Sequence, residues 1–185
     1  MPLPPSPARP LTLFLATALA AVGLTGCSAL SPFHTCDDSA ARLKGLRSQS
    51  ILDSVPDGTT TPEGFDRVDS RCVDDTGDAW LYASRVYRFP GSRQHVVDFY
   101  RATAGADGWE LQHDPYDRST PESTAGLCFT RGGDGEALLL TVQFLMGDDL
   151  RFAYGQDAGP QFDSGAGFEI EVGSETDGAP TGCFD

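Results

Sequence analysis

Four thiols, Cys36, Cys72, Cys128 and Cys183, and a scatter of carboxylates are the side chains of this 185-residue chain whose types and spacing could do chemistry. The nearest two of these thiols lie 36 positions apart, so the C-x-x-C spacing of a zinc ribbon or redox couple is missing. An even set of well-separated cysteines supports pairing in an oxidising compartment, and four allow three connectivities. We favour Cys36–Cys72 with Cys128–Cys183, each bridge stabilising the fold by roughly 2–4 kcal/mol. The fifth cysteine, Cys27, stands apart at the end of an apolar leader.

The carboxylates read as solvated. Asp74-Asp75-Thr76-Gly77-Asp78 is similar to part of a calcium loop but lacks a glycine at the required place and the bidentate glutamate at the loop end, and Asp148-Asp149 follows Gly147 in a predicted turn. Asp114 and Asp117 could form an acid/base pair, but they lie in polar sequence. Such catalysis needs two pKa values pushed apart by burial. His34, His95 and His113 are scattered, and no nucleophile elbow, zinc-protease helix, phosphate-binding loop or dinucleotide fingerprint is present. The chain therefore reads as non-enzymatic, without a cofactor or a metal site.

Residues 1–26 have the layout of a secretory signal: a short first region ending in Arg9, then an apolar run over 11–24 interrupted only by Thr12 and Thr17. That run is shorter than the roughly 20 apolar residues a spanning helix needs. It ends in Leu24-Thr25-Gly26-Cys27, which resembles the lipobox of bacterial lipoproteins. The resemblance implies that the Cys27 thiol carries a diacylglyceryl group and that the leader is cut just before it. Residues 27–36 then form a lipidated tether, and 37–185 a single domain. Two acyl chains anchor stably where one is marginal, each buried methylene contributing about 0.8 kcal/mol. The eight residues between Cys27 and Cys36 reach about 28 Å at most, so the domain works close to the bilayer.

Removing the leader takes away one basic residue, leaving twelve against twenty-seven acidic ones, a net charge of −15. Nucleic acid and anionic lipid headgroups are thus disfavoured as partners. Arg85, Arg88 and Arg93 are the one modest basic cluster, expected on a solvated strand and loop. The chain has no asparagine and a single lysine, Lys44, a bias associated with GC-rich, actinobacterial genomes. In a monoderm the anchor would hold the domain on the outer face of the cytoplasmic membrane. In a diderm, Ser28 resembles an outer-membrane sorting residue.

Local patterns predict an α+β fold: a mainly antiparallel sheet with one or two helices packed on one face. Asp37 or Asp38 caps a first helix presenting Leu43 and Leu46, and the stretch 53–62 stops it. Residues 79–89, rich in aromatic and β-branched types, read as a long strand closed by Pro90-Gly91. Ser92 caps a second helix with Val96, Phe99, Tyr100 and Thr103 on one stripe. Strands follow over 109–113, 127–131 and 137–146, the last two joined through Gly132–Gly135. Phe168, Ile170 and Val172 alternate with Glu169 and Glu171 in the cleanest half-buried strand of the chain. Trp80 and Trp109 are expected in the core. A strand ending near Pro90, then Phe99-Tyr100 and Gly108-Trp109, resembles a segment of about thirty residues in small actinobacterial lipoproteins of unassigned function, and it implies no catalytic residues.

The function expected from these readings is a lipid-anchored extracytoplasmic lipoprotein, a non-catalytic binding or accessory module of the cell envelope. Its partners would be the membrane, through the anchor, and an extracytoplasmic protein or cell-envelope ligand. The alternative is an envelope enzyme with a carboxylate acid/base site. The polar stretches 114–126 and 156–167 are the default functional loops. Within them Tyr116, Arg118 and Phe162 are residue types enriched at interfaces.

Overall fold

Six strands pair in a single antiparallel sheet in the computed structural model, which describes residues 35–75, 78–114 and 126–183. In chain order the strands are β1 (Asp69–Asp75), β2 (Asp78–Phe89), β3 (Glu110–His113), β4 (Leu127–Arg131), β5 (Leu138–Phe144) and β6 (Ala166–Glu175). The spatial order is β1-β2-β6-β5-β4-β3, so the last strand enters the middle of the sheet. Three helices accompany them: α1 (Ala40–Arg47), α2 (Arg93–Ala106) and α3 (Gly147–Tyr154), with a single 3-10 turn at Ser50–Asp53. Among the described residues no helix is long and apolar enough to cross a membrane.

Strand alternation sorts the side chains onto two faces. Leu81, Ala83, Tyr87 and Phe89 of β2 share the first face with Ala166, Phe168, Ile170 and Val172 of β6 and with Leu140, Val142 and Phe144 of β5. Against them α2 buries Val96, Val97, Tyr100 and Ala104, and α1 buries Leu46. The phenols of Tyr87 and Tyr100 donate to the Leu52 and Ser54 carbonyls, so neither polar tip is stranded in this core. Ser92 caps α2 as expected, accepting from the His95 N–H. The buried stripe is turned one position from the expected one, with Val97 and Ala104 in place of Phe99 and Thr103.

Three local expectations are corrected. Neither Asp37 nor Asp38 caps α1: Ser39 holds that position, its hydroxyl donating to the Cys36 carbonyl, while Asp38 adopts a left-handed φ of 61°. Asp148 and Asp149 lie in the first turn of α3 rather than in a plain turn, and the Asp149 carboxylate accepts from the Met146 N–H. An acid there complements the positive end of the helix dipole. Helix α3 also lies on the second face, where Leu150 packs with Phe65, Val86 and Phe162.

The two disulfides are Cys36–Cys72 and Cys128–Cys183, with Cα separations of 5.7 and 5.9 Å. Cys72 stands opposite Leu81 and packs against the first-face core. Cys128 stands opposite Thr141, on the second face. The bridges therefore fasten the two ends of the domain to opposite sides of the sheet.

Candidate functional site

The second face of the sheet is polar where the first is apolar. Directly paired residues share a face, so the register aligns Asp69, Ser84, Glu171, Thr141 and Cys128 in one row across five strands. Arg71, Tyr82, Gly173, Leu139 and Thr130 form the adjacent row. Helix α3 occupies one corner of this face and the Cys128–Cys183 bridge another. Between them Trp80, Tyr82, Glu169 and Glu171 are half-buried.

These groups are held by bonds between elements distant in sequence. Arg71 Nη2 donates to Asp69 Oδ2 at 2.7 Å, and the Tyr82 phenol donates to the same oxygen at 3.2 Å. The Tyr154 phenol, delivered by α3, donates to Glu169 and lies 3.4 Å from the Ser84 hydroxyl. The Trp80 indole N–H donates to Glu171. Its ring lies over Gly173, where any side chain would collide with it, so glycine is what lets the indole settle on the strand backbone. Burial pushes Glu171 up to about 7, and the neighbouring Glu169 charge adds to the shift. Glu169 is raised in the same way, chiefly by burial, with the Tyr154 bond opposing. Burial and the Asp69 charge push Tyr82 up to about 12.

The Tyr154–Glu169 bond joins α3 to the interior strand β6. Replacing Tyr154 with Phe should cost about 1–2 kcal/mol, because the buried carboxylate loses its donor while the ring's packing is kept. Urea unfolding at neutral pH measures this, and an unchanged midpoint would mean the bond contributes nothing.

Beside Tyr154 a cavity of about 590 Å³ opens where the segment before β1, the start of β1 and the end of α3 meet the outer edge of β2. Phe65, Arg67, Asp69, Arg71, Ser84 and Tyr154 are among its walls. Phe65 and Tyr154 pack edge to face at 5.6 Å and form its aromatic side. The cavity thus presents cationic, anionic and hydroxyl groups against an aromatic wall. That donor set suits hydrogen bonding to a polar ligand.

The residues singled out by sequence are not the ones gathered here. Cys27, Tyr116, Arg118 and Asp117 lie outside the described residues. Phe162 is 1% exposed and packs with Leu150 and Val86, its ring against Gly167, so it forms part of the second-face core and not a surface contact. Asp114 accepts from Arg101 Nε at 2.7 Å. His95 stacks near Phe89, and His113 stands opposite Cys128 on β3. Arg85 pairs with Asp53, Arg88 bonds Gln161 and Ser164, and Arg93 lies over Phe144, so the three arginines are separately engaged and form no patch. Trp109 is buried, as expected, with Arg131 4.2 Å above its ring. Trp80 is not in the core. Among the described residues no group of three metal-ligating side chains converges. The one signal for the site was the Glu169/Glu171 alternation. It predicted a polar face but not what stands against it.

No protein-family model matches the chain, and no match was found among curated proteins or solved structures.

Proposed function

We propose that this chain is a lipid-anchored, extracytoplasmic binding module of the cell envelope, non-catalytic, which takes its ligand on the second face of the sheet. The observation that carries this reading is the half-buried polar strip running into the cavity beside Tyr154. Both charge signs and several hydroxyl and aromatic groups meet there, the composition of a site that orients a polar ligand. The leader and Leu24-Thr25-Gly26-Cys27 support the anchoring. The net negative charge supports a ligand other than nucleic acid or anionic lipid.

Replacing Cys27 with Ala tests the anchor. The variant should appear in the medium or remain unprocessed at full precursor mass, read by cell fractionation and mass spectrometry. A processed variant that still sediments with membranes would overturn the premise.

One observation favours a second reading, an envelope enzyme using a carboxylate acid/base. Glu169 and Glu171 lie two residues apart on one face of β6, and a carboxyl raised to about 7 is suited to proton transfer near neutrality. On that reading the acid/base pair would be these two residues rather than Asp114 and Asp117.

A further inference from the structure

The outer edge of β2 is interrupted at one residue. Arg88 exchanges two backbone bonds with Thr60, of 2.8 and 2.9 Å, and four positions earlier Ser84 pairs with Asp69 of β1. In an antiparallel ladder, alternate residues direct their N–H and C=O toward the same edge. Val86, midway between Ser84 and Arg88, must therefore aim both groups at this edge. The chain between Thr60 and Asp69 swings away instead, and none of the described residues faces Val86 there.

Val86 is only 3% exposed and lines the cavity beside Tyr154. A buried donor and acceptor without a protein partner is a rare and costly arrangement, and it requires something to complete it. What completes it most directly is another extended residue, whose own N–H and C=O point to the same side and return one donor and one acceptor, as in strand addition. The notch is bounded, because paired residues close it at Ser84 on one side and at Arg88 on the other. Only a short extended segment fits, so the occupant is a chain end or a small peptide rather than a passing strand. Arg67 lies at the same cavity, exposed and without an ion pair among the described residues, and Arg71 stands nearby with its single carboxylate partner Asp69. Two guanidinium groups beside an unpaired backbone N–H are the donor set that captures a carboxylate.

We propose that this notch binds the carboxyl-terminal end of a short peptide, its last N–H donating to the Val86 carbonyl and its carboxylate accepting from the Val86 N–H and meeting Arg67 and Arg71. The proposal rests on the binding-module reading and names its ligand class. Phe65 and Tyr154 form the aromatic wall against which the terminal side chain packs. A free peptide and the C-terminus of a protein offer the same chemistry. They differ in length, and the bounded notch engages only the last residues of either.

The test is an NMR titration of the ¹⁵N-labelled purified protein with acetyl-trialanine carrying a free carboxylate, with its C-terminal amide, and with the analogue whose last amide is an ester. The free acid should move the Val86 amide resonance saturably and slow its hydrogen exchange at least tenfold. The amidated and ester analogues should each bind at least tenfold more weakly. Arg67→Gln, a change at an exposed side chain, should weaken the free acid by a similar factor while leaving the spectrum otherwise unchanged. A Val86 resonance that stays put at millimolar peptide overturns the proposal, as does equal affinity for the acid and the amide. A 30-residue peptide with the same three C-terminal residues should bind as tightly as the short one, and marked weakening would restrict the site to free peptides. None of these readouts depends on the membrane, so failure here leaves the anchoring test with Cys27→Ala, and the wider binding reading, to stand or fall separately.

Discussion

Replacing Cys128 and Cys183 together by serine is expected to lower the stability of the domain by about 4 kcal/mol, and replacing Cys36 and Cys72 by a similar amount. The bridges close stretches of 55 and 36 residues, between the short and long loops for which unfolded-state restriction is worth about 3 and about 4.7 kcal/mol. The two losses should differ in where the native state loosens. Beyond β6 the chain is held as far as Gly178, through the Ala137 N–H to Gly178 carbonyl bond and the Gly178 N–H to Glu175 carbonyl bond, and then by the bridge at Cys183. Without that bridge, fast hydrogen exchange should appear over residues 179–183 and stop there. Without Cys36–Cys72 the loosening should appear around 35–39, because α1 buries Leu46 near its far end. Urea unfolding combined with hydrogen exchange reads both effects. A loss under 1 kcal/mol for either pair would mean that the native state tolerates the open form, against the loop-closure account.

The second large effect is a dependence of stability on pH that Glu171→Gln should reduce. A carboxyl whose folded pKa lies above its unfolded value binds more protons folded than unfolded. Stability is then fully present below the unfolded pKa and is lost as pH rises through the folded one. For Glu171 that window runs from about 4.3 for an unfolded glutamate up to about 7 in the fold. The wild type should therefore weaken between pH 4.5 and pH 8, by on the order of 3 kcal/mol from this residue. Glu169, raised for the same reason, works in the same direction. Glutamine keeps an oxygen to accept from Trp80 but cannot ionise. The variant should match the wild type near pH 4.5 and exceed it at pH 8, and thermal or urea unfolding at the two values decides the matter. A variant less stable than the wild type at pH 8 would show that the ionised carboxylate is favoured in the fold, contrary to the burial argument.

Much of the fold was legible in local periodicity. The long β2 strand, the Ser92-capped α2 and the alternating β6 appear where their patterns place them, because a two-residue or 3.6-residue repeat is a property of neighbouring side chains alone. Strand β1 was not legible. Asp69–Asp75 carries five polar residues with Val73 and Cys72, a pattern typical of an edge and indistinguishable from a loop. Helix α3 was missed for a related reason: of its eight residues only Gly147 and Leu150 are buried, too few to show a stripe.

The candidate site was less legible than the fold, and the contrast between Glu171 and Phe162 shows why. Alternation correctly placed Glu169 and Glu171 opposite the core, but solvated carboxylates and half-buried ones look alike in sequence. What distinguishes them here is Trp80 and Tyr154, brought from 91 and 15 positions away by the sheet register and by α3. Phe162 lies in a polar, glycine-bearing stretch, which reads as an exposed loop until the second face offers it Val86 and Leu150.

Readable from neighbouring residues alone were the apolar run that ends at Cys27, the α+β class, the core-facing residues of the long strands and the set of cysteines able to pair. Only the tertiary structure decided which strands neighbour one another, that the two bridges grip opposite faces, that α3 delivers Tyr154 to Glu169, and that the β2 edge is left unpaired at Val86. The division is physical. Helix and strand preferences follow from steric and solvation effects within a few residues, whereas register, edge pairing and the burial of a carboxylate depend on segments far apart in the chain, whose proximity no local repeat encodes.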